Sequence, residues 1–595
     1  MRKPSSALQI LVYSETRATT VASNLGRAEY SYYFILEKYL PLLQDMGEVV
    51  FVDDPAIEVD SLYRKAAAEG SRAVFLSFTP PHRTQGGLAC PTVCVLAWEF
   101  DCIPYESWNT DEPWNNWVQA IREIGNVLTI SDYATRVIKQ QVGKGPQVLT
   151  IPAPVTAQAS VCERSVAAQR QLSLDAAIID TRDFDISVDS VTPRQNAKNA
   201  LESAQAQWDG HAIEWIFSSS VDNAGQYLVG FYGEEDWGCW SKTSTPSIIL
   251  PWSVNGEIEL SLELVGYGEN QGREITVTMG NVVQGITLGE SLTQHTLHFT
   301  LPEAVSSLHF ADVLAIAAPG ARDHRTLGLG ISQLSLSRVT ETAAADAVVA
   351  ADDQGVQAQN DDIARSQPAT LTFDGPVYCS VFNPADGRKN WHDMVTAFCW
   401  AFRDDADVTL VMKMSHHNRS VFLGELLLLF SRLSPFKCRV IAIHGYLSAE
   451  ELNALVHTAD YFVNTSLAEG QCLPLLEFMA EGVPALAPYH TAMETYINSD
   501  NSFVVKSSHQ PHIWPNDPRR AYRTVSNRID WESLRRAYIE SAGVLRNDPE
   551  RYQRMRHAAA EIVRTHYAPG KIAEDLAKYL VKTARPVRWL QRIFG

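Results

Sequence analysis

The sequence predicts an α/β protein of two doubly wound halves with an antiparallel β-sandwich between them. Short apolar runs separated by helix-like stretches fill residues 7–155 and return near residue 371. That rhythm is the one expected of parallel strands covered by helices on both faces. Between them, residues 212–338 alternate apolar and polar side chains and are broken by turn clusters, the pattern of a sandwich. Two stretches poor in large apolar residues, 156–206 and 339–370, separate the three units. Both are expected to be flexible linkers, the second of them acidic.

In the first half (1–155), residues 8–12, 48–52, 73–77, 92–96, 127–130 and 147–151 read as strands, with a helix over 32–46. In the sandwich (207–338), strands are expected at 258–264, 274–279, 295–299 and 328–336, with the glycine-rich stretch 266–272 as a turn. The second half (371–582) opens with a strand over 377–381 and a helix over 392–403, then strands at 408–412 and 440–444. Ser448 begins the next helix, and Glu451 three residues on completes a capping box. Residues 461–465 end a strand, 473–479 are helical, Gly482 stops the helix, and 485–488 form another buried strand.

The turn between those last strands carries the chemistry. It places Glu469 and Glu477 eight residues apart, across a glycine-containing loop that opens into a helix. Free backbone N–H groups converge at such a start, and the helix dipole adds roughly half a positive charge, so the turn suits an anion. The carboxylates flanking it suit hydroxyl groups, not the phosphate itself. They are read as serving chemistry and not the fold, so replacing Glu469 is expected to leave stability untouched.

With Glu-Gly at 469–470, Pro-Leu-Leu-Glu at 474–477 and Gly-Val-Pro at 482–484, the segment resembles the E-x7-E signature of retaining GT-B glycosyltransferases of family 4, glycosyl transferases group 1. The resemblance covers about residues 8–155 and 371–582 and leaves the sandwich and linkers outside. It implies that Glu469 contacts the donor sugar and Glu477 the nucleotide ribose, with Gly470, Gln471, Cys472 and Leu473 beside the diphosphate. Lys389 and Arg388, at the first strand-to-helix turn of the second half, would then neutralise the leaving diphosphate; a solvated basic turn is the alternative. The family commonly has its arginine several residues before the lysine, where Pro384 stands, so Lys389 carries over more securely. Gly26 resembles the glycine of the loop lining the cleft, and Gly445, Tyr446 and Leu447 would lie near the base. Many family members have a histidine near residues 97–104; here Glu99 and Asp101 are the polar groups, suited to an acceptor hydroxyl or to capping and salt bridges.

Composition bounds the rest. A net charge of −19 argues against nucleic acid as a partner. Nine scattered cysteines without zinc spacing fit a reduced cytoplasmic protein and no metal site. No signal-peptide pattern and no run near the ~18 apolar residues of a membrane helix is present. In the sandwich, Trp237 and Trp240 either stack on sugar faces, with Glu235 and Asp236 accepting hydroxyl hydrogen bonds, or fill the core. The basic, aromatic tail (583–595) either lies on an anionic membrane surface or docks back on the first half. The resemblance implies a nucleotide-sugar donor, a glycan or lipid-linked glycan acceptor, retention of configuration and no metal cofactor. Bacterial surface polysaccharide or lipopolysaccharide is the expected product. A non-catalytic carbohydrate-binding scaffold, a phosphorylase and an epimerase remain the alternatives.

Overall fold

Each apolar run of the first half becomes a strand, and each intervening stretch with an apolar stripe covers a face of the sheet. The computed structural model describes residues 8–17, 21, 25–26, 30–106, 115–157, 161, 169–188, 191–193, 208, 212–218, 227–318, 325–339, 369–416, 420–515 and 517–584. The first half runs β1 (Leu8–Tyr13), α1 (Ser31–Met46), β2 (Glu48–Phe51), α2 (Pro55–Ala68), β3 (Arg72–Ser77), β4 (Thr92–Leu96), α3 (Trp117–Ile124), β5 (Asn126–Thr129), α4 (Asp132–Val142) and β6 (Gln147–Thr150). Its six strands are parallel in the order β2-β1-β3-β4-β5-β6. Helix starts are fixed locally: Asp54 accepts from the amides of Ala56 and Ile57, and Ser131 from that of Ala134.

Four short strands follow, β7 (Arg170–Leu174), β8 (Ala177–Asp180), β9 (Phe184–Ile186) and β10 (Val191–Pro193). Then comes the antiparallel unit: β11 (Ile213–Ile216), β12 (Leu228–Val229), β13 (Cys239–Trp240), β14 (Ser247–Gly266), β15 (Glu274–Met279), β16 (Val282–Thr287), β17 (Thr293–Ala311), β18 (Ile316–Ala317), β19 (Thr326–Leu327) and β20 (Leu329–Arg338). The expected jelly-roll-like sandwich is instead one sheet, in the order β11-β20-β14-β17-β15-β16 with β12 on β14 and β13 on β20. The long pair β14–β17 loses register between Ile249 and Gly256, where irregularities bend the strands. The sheet curls there around Ile258, Leu260, Leu262, Phe299 and Leu334. The strands expected at 258–264 and 295–299 cover only the part of each long strand on one side of that bend.

The second half contains β21 (Ala369–Phe373), β22 (Val377–Phe382), α5 (Trp391–Ala401), β23 (Thr409–Met414), α6 (Ser420–Leu433), β24 (Arg439–His444), α7 (Ala449–Thr458), β25 (Tyr461–Val463), α8 (Leu473–Ala480), β26 (Ala485–Pro488) and β27 (Ser502–Val505). A hairpin, β28 (Ser507–Ile513) and β29 (Tyr522–Ile529), and helices α9 (Trp531–Asn547), α10 (Pro549–His566) and α11 (Pro569–Thr583) complete it. The sheet order is β27-β26-β25-β22-β23-β24-β8, parallel except for β8. Ser448 and Glu451 form the expected capping box at α7. Two doubly wound sheets facing one another are the GT-B arrangement.

The linker assignment for 156–206 is corrected by β7–β10. β8 adds antiparallel to β24, and β7 pairs with β21, about two hundred residues along the chain. Asp180 and Arg439 form a buried ion pair that fastens β8 to the sheet. The curled sheet is therefore inserted within the second half, after its first strands, and not between the halves. Of the acidic stretch, 340–368 lies outside the described residues.

Val229 and Ile249 of the curled sheet share an apolar cluster with Phe422, Leu423 and Leu426 of α6. Burying each is worth about 1.5–3 kcal/mol, so residues 207–338 expressed alone should expose a sticky face. Gel filtration of that fragment should show self-association, relieved by Val229→Thr with Ile249→Thr. A wild-type fragment that stays monomeric would mean the α6 contact is dispensable.

Two elements of the second half return to the first. Ile572, Leu576, Tyr579 and Leu580 of α11 join the cluster of Ile35, Leu36 and Tyr39 on α1, and Trp514, after β28, is fully buried there too. Tail residues 585–595 lie outside the described residues, while Ala584 is buried against the first half.

Candidate active site

Strand order decides which loops meet. In the second sheet β22 and β25 are neighbours, and their connections leave toward opposite sides. A crevice forms outside their carboxyl ends. The loop after β22 carries Arg388 and Lys389, and the loop after β25 carries Glu469. Asp386 caps the first turn by accepting from the Arg388 amide (3.1 Å), and Asn390 turns the chain into α5 with φ +50°. Cys472, at φ +60°, turns the second loop into α8, which starts at this edge of the sheet with Pro474 in its first turn, so the positive end of the helix dipole lies at the crevice while the Leu476 amide closes back on the Cys472 carbonyl.

The two loops are joined by charge. Glu469, 4% exposed, accepts from Lys389 Nζ at 2.7 Å, Ser466 Oγ at 2.5 Å and Asn464 Nδ2 at 3.3 Å. Arg388 Nη1 lies 3.7 Å from its other oxygen. Burial pushes the carboxyl upward, but Lys389, Arg388 and the hydrogen bonds outweigh it and hold the pKa near about 2. Glu469 is thus ionised throughout the neutral range, with its backbone N–H donating to Thr491 Oγ1 at 3.0 Å.

Arg388 is a brace more than a free cation. Its guanidinium donates to the Ala468 carbonyl (2.8 Å), pairs with Asp386 (2.9 Å) and meets Glu99 of the first half at 3.2 Å. Burial acts to lower its pKa, and Glu99, Asp386 and Glu469 reverse that and raise it. Glu99 itself is shifted up, burial outweighing Arg388. Asp101, by contrast, points away from this cluster: its carboxylate accepts from Thr524 Oγ1 (2.7 Å) and the Val525 amide (2.9 Å), tying the β28–β29 hairpin to the first half.

The other expected residues divide in the same way. Gly26 (φ +81°) sits against His416 so closely that a Cβ would collide with the ring, and its carbonyl accepts from Asn383 Nδ2 at 3.0 Å across the cleft. Gly470 faces the backbone of Trp98 and the side chain of Ala97. Leu473 is the first residue of α8, and Glu477, in its second turn, is partly exposed and pairs with Lys38 of α1 at 2.5 Å. Gln471 is buried and spans the halves, accepting from the Ala153 amide and donating to its carbonyl. Its side chain is therefore engaged by protein. Gly445 (φ +105°) has open space over its Cα, Tyr446 is exposed and Leu447 buried, at the end of β24.

The four glycan-binding candidates lie on the curled sheet. Trp237 and Trp240 pack edge to face (5.0 Å between centroids) over Gly330, where a Cβ would strike both rings. Glu235 accepts from Trp237 Nε1 (3.0 Å) and pairs with Arg325 (2.7 Å), so its carboxylate is engaged within the sheet; Asp236 is exposed.

Sequence reading passed over His490, Thr491, Lys38, His416 and Lys413. His490 and Thr491 follow β26 at the same carboxyl edge, a position that could have drawn attention by topology alone. Burial drives the His490 pKa down to about 4, so the ring behind Glu469 is neutral. Lys38 carries no local signal: only the meeting of the halves brings it to Glu477. Among the described residues no cluster of three or more His, Cys, Asp or Glu could hold a metal ion.

Residues 415–513 match the family described as Glycosyl transferases group 1, and residues 201–338 match one described as Domain of unknown function (DUF7024). No curated protein matches the chain. Among solved structures, a glycosyltransferase from Rickettsia africae ESF-5 is 8% identical, over 98% of this chain and 100% of that one, with a TM-score of 0.42. A point mutant of S. aureus TarM, in complex with Fondaparinux, alpha-GlcNAc-glycerol and UDP, is 11% identical over 34% of this chain and 35% of that one, with a TM-score of 0.26. Anabaena HepE, in complex with UDP and glucose, is 17% identical over 35% and 48%, with a TM-score of 0.26. The chain thus spans about a third to a half of the length of the TarM and HepE structures. The group 1 match takes in Glu469 and Glu477, stops short of Lys389, and supports a glycosyltransferase.

Proposed function

We propose that the protein is a retaining, nucleotide-sugar-dependent glycosyltransferase of the family 4 type. It moves a sugar to a glycan or lipid-linked glycan acceptor, in the making of a bacterial surface polysaccharide or lipopolysaccharide. The observation that carries this reading is Glu469, buried, ionised and held by Lys389 beside the start of α8. An acceptor-only carboxylate fixed in that way binds sugar hydroxyls, while the helix start takes the diphosphate. Glu477, partly exposed and paired with Lys38, would take the ribose hydroxyls. Lys389 meets negative charge growing on the leaving diphosphate, which preorganised cations stabilise most effectively in a dry cleft. On the opposite wall Glu99, its pKa raised by burial, is the group of the first half best placed to handle the acceptor hydroxyl.

With cations of the chain doing this work, turnover should persist in excess EDTA. Among the described residues no helix is long and apolar enough to cross a membrane. Any membrane contact would fall to residues 585–595 and be weak and salt-sensitive. The deciding experiment incubates the purified protein with a panel of UDP-, GDP-, ADP- and dTDP-sugars and follows release of nucleoside diphosphate. Release from one member of the panel, dependent on Glu469, is the expected result. If none is bound or cleaved, the reading fails and a carbohydrate-binding scaffold takes its place. NMR of the product anomer then decides retention against inversion.

A further inference from the structure

The cations expected to meet the diphosphate are already matched by carboxylates. Arg388 and Lys389 face Glu469, Asp386 and Glu99. Lys38, from the first half, is taken by Glu477. A diphosphate entering this cleft meets little net positive charge from them. We propose that Lys413 is a third anion-binding group of the donor site, receiving a phosphate oxygen of the nucleotide sugar; this rests on the nucleotide-sugar reading above.

Lys413 is the penultimate residue of β23, in register with Val381 of β22 and Ile443 of β24. It is 6% exposed, and its ammonium donates to Ser415 Oγ at 2.7 Å, beyond the strand end. No carboxylate among the described residues pairs with it. Alternation places Lys413 on the same face as Val411, which lies in the apolar cluster with Leu475 and Leu476 of α8. α8 runs back from the carboxyl edge of the sheet, so the positive end of its dipole and the Lys413 ammonium lie at the same edge. The adjoining His416 packs on Gly26 of the first half, which puts the Lys413–Ser415 pair beside the cleft between the halves.

Such a lysine is costly to the empty protein. An ammonium has three donors, and Ser415 takes one, among apolar neighbours. Burial alone pushes its pKa down to about 8, which is what an unmatched buried cation does. A phosphate oxygen arriving at the start of α8 would supply the missing charge. A purely structural residue of this length at this place would be expected to be apolar, methionine being the nearest in shape.

The test uses the full chain with Lys413→Met and Lys413→Gln, the second keeping a polar partner for Ser415. Calorimetric titration with UDP, GDP, ADP and dTDP, and with the corresponding uncharged nucleosides, separates charge from base recognition. Both variants should bind the preferred nucleoside diphosphate about tenfold or more weakly, the scale of a lost hydrogen bond to a charged group. Nucleoside binding should be unchanged, and the ligand-free melting temperature of Lys413→Met should rise. Unchanged diphosphate affinity in either folded variant overturns the proposal. So does an equal loss for nucleoside and diphosphate, or a lower ligand-free melting temperature in both variants, since each makes Lys413 a structural residue. If the wild type binds none of the diphosphates, the nucleotide-sugar reading itself falls, and the role of Lys413 with it.

Discussion

Glu469→Gln should lower turnover about a hundredfold, the scale of removing one preorganised electrostatic contact. The substitution keeps volume and two polar atoms but removes the charge that Lys389 and Arg388 balance. Stability is expected to suffer as well, and here the structure changes what the sequence implied. In Glu469→Ala two half-buried cations lose a buried anion, a loss that costs up to about 3 kcal/mol. The pH dependence has a definite sign. The folded pKa, about 2, lies below the ordinary glutamate value of about 4.3. The stabilisation is therefore fully present above about pH 4.3 and disappears as pH falls through about 2. A wild type that loses stability between these values, beside a Glu469→Gln variant whose profile is flatter there, is the expected pair of curves. Near-normal turnover in folded Glu469→Gln would remove Glu469 from the chemistry.

Asp180→Ala should destabilise the second half by about 3–5 kcal/mol, the range for breaking a buried ion pair by deleting one partner. Arg439 Nε donates to both Asp180 oxygens (2.9 and 3.1 Å), and Nη1 donates to the Thr372 carbonyl (2.6 Å). Without Asp180 the buried guanidinium keeps its place with no counter-charge. Adding Arg439→Met should recover a large part of the loss, because an apolar pair of similar volume often replaces a buried ion pair at little cost. Calorimetry on the full chain reads the shift, and limited proteolysis reads release of β7 and β8. If Asp180→Ala melts like the wild type and stays resistant across 170–186, β8 is not held by this pair.

What the sequence determined is what its local patterns encode. Apolar runs spaced by helices gave both doubly wound sheets, and Ser448 with Glu451 marked a helix start to the residue. Glu469 and Lys389 drew attention because each lies in a loop between a strand and a helix, where the strand, the loop and the helix start can be read within a few residues. Tertiary structure alone decided the rest. β7 and β8 are too short to show a period, and their partners β21 and β24 lie about 200 and 260 residues away. Still longer separations hide Gln471 on Ala153, Asp101 on the β28–β29 hairpin, Lys38 on Glu477 and Glu99 on Arg388. A side chain's charge is written in the sequence, but the charge that balances it is fixed only when two distant surfaces close and exclude water. That is why Arg388 reads as a cation for the diphosphate and folds as a brace, while Lys413, just past the expected strand 408–412, is passed over in the sequence and folds as a buried cation with no carboxylate paired to it among the described residues.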